Sequence, residues 1–215
     1  MDRAAKALRK RRYARALSLY QTVLEREPKN ADLHRRVAPL FARTRQVREA
    51  WASYRQAADH LLKAGFVDQA VGVYREACQR LPSYPDPWIS LSELEVERGR
   101  PRDAVAALMR GRRRFRSRRN RTEAMRLLRR ARKIDPQDFE VTFDLAGLVG
   151  QSGMRAQSIR MLDELASRAT RSQLRRVRRR QFLLAPGPSR AWRWLRALLG
   201  SPGPQPALSS RRSAS

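Results

Sequence analysis

The chain has 215 residues, 48 basic and 20 acidic side chains for a net charge of +28, and an apolar share of 41%. That length suits one domain or one repeat array with tails, and the absence of any run of about 18 apolar residues excludes a transmembrane helix. The charged start Met1-Asp2-Arg3-Ala4-Ala5-Lys6 lacks the apolar core of a secretory signal, and the single Cys78 excludes an intramolecular disulfide and a cysteine-based metal site, so a reducing cytoplasm is expected.

The positive charge is almost all arginine, because only Lys6, Lys10, Lys29, Lys63 and Lys133 are lysines. Residues 1–16 net +6, residues 110–133 net +12 and residues 171–215 net +11, which leaves −1 for everything else. Two readings stay open. A GC-rich genome inflates Arg and Ala, and an anionic partner selects guanidinium forks that match phosphate geometry. Uniform codon bias does not by itself place the excess in three blocks.

In chain order, residues 12–26 set Ala16, Leu19, Tyr20, Val23 and Leu24 on one face, the spacing of an amphipathic helix. Pro28 stops this helix, since proline disfavours helix in the residue before it. Asn30 is placed to cap the next helix, about 31–43, which buries Leu33, Val37, Leu40 and Phe41 and carries Pro39 inside it. A third, about 46–62, carries Val47, Ala50, Trp51, Tyr54, Ala57, Ala58, Leu61 and Leu62, and Gly65 breaks the chain after it. The same skeleton then returns. Ala16, Ala50, Ala70, Ala104, Ala124 and Ser158 are separated alternately by 34 and 20 residues, and Pro28, Pro82 and Pro136 by 54. His34, Trp88 and Thr142 correspond, as do Val37, Leu91 and Leu145. Three 54-residue units follow, about 9–62, 63–116 and 117–170, each of three helices. The further helices are expected at 66–80, 86–98, 102–115, 120–134 and 138–151. The small residues let neighbouring helices approach closely. No strand alternation persists, so the chain is all-α.

The spacing of 34, the small–aromatic–small–proline skeleton and Trp88-x-x-Leu91-Ser92 resemble tetratricopeptide repeats over about residues 4–168. The chain is similar to bacterial multi-repeat adaptors of that family. The resemblance implies a right-handed α-solenoid of stacked antiparallel helices, about nine in the repeats, within a domain spanning 1–170. Steps of 20 depart from the family pattern, because two helices of the second type then follow one another, at 46–62 and 66–80 and again at 102–115 and 120–134. Residues 171–184 suit a basic capping helix that covers the last apolar face. Residues 185–189 are a linker. Residues 190–200 form a short Trp/Arg amphipathic helix capped by Ser189, and 201–215 have the composition of a disordered tail.

Catalytic constellations are missing. His34 occupies the position of Trp88 in the next unit and is expected to pack, while His60 is a solvated helix residue. Gly147, Gly150 and Gly153 lack the Lys-Ser/Thr of a phosphate loop and read as close-contact positions. Glu93, Glu95 and Glu97 fan out on a helix. No enzyme, no cofactor, no metal and no small-molecule substrate are expected. A protein partner is, and RNA or anionic lipid are the alternatives.

The resemblance implies that the first helix of each repeat lines a concave groove. Its outward residues would be Arg35, Arg36 and Arg43, then Ile89, Glu93, Val96 and Glu97, then Phe143 and Asp144. Where the family's chaperone-tail clamps hold Asn, this chain has Pro39, Glu93 and Gly147, which disfavours that activity. Arg112, Arg113, Arg114, Arg116, Arg118 and Arg119 form a second candidate, a patch for an anionic partner. It reads first as a solvated charge run, partly stabilised by the helix dipole, and second as such a patch. Trp192, Trp194 and Leu195 are a candidate tail anchor, docking on the chain itself, on a protein or on an anionic membrane.

Overall fold

The computed structural model describes residues 2–199. Every regular element among them is helical: α1 (Asp2–Arg9), α2 (Tyr13–Arg26), α3 (Ala31–Arg43), α4 (Val47–Lys63), α5 (Val67–Arg80), α6 (Pro85–Glu97), α7 (Pro101–Arg112), a 3-10 turn at Arg118–Asn120, α8 (Arg121–Ile134), α9 (Phe139–Gln151), α10 (Arg155–Arg168), α11 (Arg171–Leu184) and α12 (Pro188–Leu199). The expected tail at 201–215 lies outside the described residues. The chain forms two compact units, which divide after Val141.

In the first unit each helix packs on the next in chain order, and α6 also reaches α8 as α3 reaches α5. Ala16, Ala50, Ala70, Ala104 and Ala124 are all fully buried, so the 34/20 rhythm marks the points of closest helix approach. Tyr54 donates from its hydroxyl to Glu76 at 3.3 Å, and burial first, then the nearby Glu76 carboxylate, pushes that hydroxyl far above its ordinary range. Trp51 and Tyr74 meet at 5.8 Å between ring centroids, joining α4 to α5 across a step of 20.

The chain reversals follow the same rhythm. Arg11, Arg45, Gly65, Gly99 and Gly153 have positive φ. They are separated by 34, 20, 34 and 54 residues. Each is followed by a residue whose backbone N–H reaches five positions back: Arg12 to Ala7, Gln46 to Phe41, Phe66 to Leu61, Arg100 to Glu95 and Met154 to Val149. This is the helix-ending motif that needs one left-handed residue. Arg11 brings α1 into the rhythm, a helix that the apolar pattern did not announce, with Ala4 and Ala7 buried. The position one step of 20 beyond Gly99 is Arg119, and it lies in the 3-10 turn instead. There α7 ends at Arg112, three residues short of the expected 115.

Local anchors explain the proline period. Asn30 Oδ1 accepts from the Leu33 N–H at 2.9 Å and caps α3. His34 Nε2 lies 2.9 Å from the Pro28 carbonyl oxygen, and Trp88 Nε1–H donates to the Pro82 carbonyl at 3.2 Å. The histidine is therefore a packing residue that does the tryptophan's work with a smaller ring. Pro39 stays within α3.

In the second unit, Ser158 is fully buried and its hydroxyl donates to the Ala146 carbonyl at 2.7 Å. Glycines let α11 lie against α9. A methyl group at Gly147 would meet Arg180 Nη1 at 2.5 Å, and one at Gly150 would meet Leu184 Cδ2 at 2.6 Å. Thr170 and Gln173 close a capping box that starts α11. Gln181, buried, donates to Asp163 at 2.8 Å and ties α11 to α10. Helix α12 starts at Pro188, where the ring presets φ for the first helical position, so Ser189 lies in the first turn and the preceding Gly187 carbonyl accepts from Arg190 and Ala191.

Candidate functional site

In the first unit, a cavity of about 430 Å³ opens where α5, α6 and α7 converge, lined by Arg75, Cys78, Gln79, Trp88, Leu91, Arg110, Arg113, Arg114 and Arg116. Its construction starts at Gly111. A Cβ there would lie 2.6 Å from Trp88 Cγ, so α7 can press its last turn onto the indole only without a side chain. Phe115, buried, then pins the connection after α7 into the core. Between and beside these two anchors, Arg110, Arg113, Arg114 and Arg116 are left exposed at the rim. Arg116 Nε–H donates to the Arg113 carbonyl at 3.1 Å, which curls the loop.

Trp88, Leu91 and Cys78 are buried and form an apolar floor. Burial pushes the Cys78 thiol up to about 12, with Arg110 pulling weakly the other way. It therefore stays protonated at neutral pH and contributes packing, not a nucleophile. Of the guanidinium groups on the wall, Arg75 reaches the buried Glu95 carboxylate at 2.9 Å. No carboxylate of the described residues pairs with Arg110, Arg113, Arg114 or Arg116. The wall is thus strongly positive above an apolar floor, an arrangement suited to a ligand that is anionic at one end and apolar at the other.

Three of the six expected patch residues line this cavity. Arg112 is half-buried and off its wall, and Arg118 and Arg119 sit exposed on the 3-10 turn. Arg75 and the floor were missed, and Arg110 lies in the arginine-rich block that begins with it but outside the six expected patch residues. The available signal was the helical spacing of Arg75 and Cys78, which puts them on one face of α5.

The expected groove residues fare unevenly. Arg35 and Arg36 are exposed, and the exposed Arg43 guanidinium lies 4.5 Å over the Tyr13 ring. Val96 and Glu97 are exposed. Ile89, expected to face outward, is buried, because α6 has neighbours in α5, α7 and α8 and little free surface remains. Glu93 is paired with Arg130, and Asp86 with Arg126 at 3.1 Å, so α8 already neutralises that acidic end. In the second unit Phe143, also expected outward, is buried beneath Arg180 and Arg176, at 3.9 and 4.7 Å from its ring centroid. Arg180 also donates to the Phe143 carbonyl at 2.8 Å. Asp144 is half-buried. Of the tail anchor, Trp194 stacks on Phe182 at 5.7 Å and 9° between planes, while Trp192 and Leu195 are exposed.

The 34/20 alternation thus recurs in the buried alanines and in the left-handed helix ends from Arg11 to Gly99, and its sum of 54 in the proline-carbonyl anchors at Pro28 and Pro82. The fold is a tetratricopeptide-like helical repeat. No family model matches the chain, and no curated protein matches it in sequence. Solved structures that match it include MamA, at 13% identity over 93% of this chain and 94% of that one with a TM-score of 0.35. PilF of Pseudomonas aeruginosa matches at 15% identity over 92% and 86%, TM-score 0.33. YrrB, described as a TPR protein with an unusual peptide-binding site, matches at 13% identity over 83% and 88%, TM-score 0.31. At such values the fold rests on the internal repeat of this chain, not on the likeness. No described helix is long and apolar enough to cross a membrane. Among the described residues no three His, Cys, Asp or Glu side chains gather as a metal site.

Proposed function

We propose that this helical repeat is a non-catalytic scaffold that captures an acidic segment of a protein partner at the arginine-lined cavity of its first unit. The observation that carries this is the set of four guanidinium groups, Arg110, Arg113, Arg114 and Arg116, held without carboxylate partners around an apolar floor. A peptide carboxylate matches a guanidinium fork, and a neighbouring apolar side chain fills the space against Trp88 and Leu91. Gly111 and Phe115 already fix the backbone that carries these arginines, which lowers the entropy cost of capture. The rival reading, RNA held by its phosphates, engages the same four guanidinium groups and makes no use of the apolar floor.

The test is affinity capture with the full chain, followed by measurement of the captured protein as a purified partner. Arg113→Ala with Arg114→Ala is expected to weaken the purified pair about tenfold or more at unchanged helical content. Val96→Ala with Glu97→Arg, on the exposed end of α6, is expected to leave it within about twofold. The opposite pattern moves the site to the expected groove and removes the cavity reading. If RNA alone is retained, with affinity falling linearly in log salt, the rival stands.

A further inference from the structure

Helix α12 carries a second, unrelated surface. On helical spacing Arg190, Ala191, Trp194 and Ala197 share one face, and all four are half-buried against the rest of the second unit, with Trp194 stacked on Phe182. The other face leaves Trp192, Leu195, Leu198 and Leu199 exposed by 64%, 44%, 46% and 81%. Arg193 and Arg196 edge that stripe and are exposed. No acidic residue follows Glu164, whereas Arg171, Arg175 and Arg179 add exposed positive charge from α11.

Four large apolar side chains displayed on one helix call for a cover. The charge around them selects it. A cover must be apolar where it meets the indole and the leucines, and negative where it meets the guanidinium groups a turn away. A bilayer interface with anionic headgroups has that layering, and tryptophan prefers the headgroup level where its ring is buried and its N–H stays wet. Arginine stems lie along the apolar layer while their heads reach the phosphates. A helix of this length is marginal in isolation, but the Trp194–Phe182 stack holds it in place before contact. We propose that the α12 face formed by Trp192, Leu195, Leu198 and Leu199 seats the second unit on a membrane surface that carries anionic lipid.

Co-sedimentation of the full chain with vesicles tests this. The chain binds vesicles of phosphatidylcholine containing phosphatidylglycerol, and not phosphatidylcholine alone. Trp192→Ser with Leu195→Ser and Leu199→Ser lowers that affinity about tenfold or more, while circular dichroism and elution volume are unchanged. Brominated lipid quenches indole emission in the wild-type chain and less in Trp192→Phe. Three results overturn the proposal. The chain ignores anionic vesicles; the triple variant binds as tightly as wild type, which leaves the arginines acting alone; or the triple variant converts a dimer to a monomer, which makes a second copy the cover.

Discussion

Gly111 in α7 and Gly72 in α5 are both helical, and the same substitution is expected to act on them with opposite sign. A methyl group on Gly72 meets nothing within 4 Å, and the residue is exposed. Gly72→Ala therefore only removes the backbone freedom of glycine and raises stability by about 1 kcal/mol. A methyl group on Gly111 meets the Trp88 ring at 2.6 Å, and a buried indole bonded to the Pro82 carbonyl has little room to yield. Gly111→Ala is expected to lower stability by about 1–3 kcal/mol. Urea midpoints of the two variants at unchanged slope check the pair. The equivalence of His34 and Trp88 was read from a spacing of 54, and both rings reach a proline carbonyl. The contact of Gly111 with Trp88 was not, because it depends on how closely α7 approaches α6, which no residue type encodes alone.

Helix α6 is clamped from two sides by charge. Glu95 is only 2% exposed and accepts from Arg75 of α5 at 2.9 Å and from Arg98 at 3.1 Å, while Arg98 also binds Asp68 of α5. Glu93 and Asp86 face α8 through Arg130 and Arg126. Alternate glutamates on α6 thus serve different neighbours, as their fanning on a helix implies. Removing one arginine leaves the Glu95 carboxylate the other. Arg75→Ala with Arg98→Ala leaves it bare in the core, and the double variant is expected to cost about 3–5 kcal/mol, more than the two single variants added together. Denaturant unfolding of the full cycle measures that excess. Element positions were largely legible, since apolar period and proline place helices from α2 to α9. The faces were less so. Ile89 and Phe143 looked outward when each helix was read with two neighbours, and α6 has a third while α11 lays Arg176 and Arg180 on Phe143. Helix α1 escaped because two buried alanines make too weak an apolar stripe.

Across the whole molecule, the three arginine-rich blocks do different work. The first supplies Arg11, a left-handed helix end whose later copies are Arg45 and then Gly65, Gly99 and Gly153. The second surrounds a cavity with an apolar floor. The third supplies Arg176 and Arg180, which pack over an aromatic ring, and the exposed edge of α12. Block composition was visible in the sequence, but this division was not. Arg75 joins the cavity from α5, 35 residues before Arg110, and nothing in a charge count brings those two together. In the proposed function the cavity between α5, α6 and α7 is where the scaffold recognises an acidic segment. The most direct measurement is hydrogen exchange of the full chain with and without an acidic, leucine-bearing peptide. Slowed exchange concentrated at 75–79 and 108–116, abolished by Arg113→Ala with Arg114→Ala, is the predicted result. Protection centred instead on α3 and the Val96–Glu97 end of α6, unchanged in that variant, would contradict it.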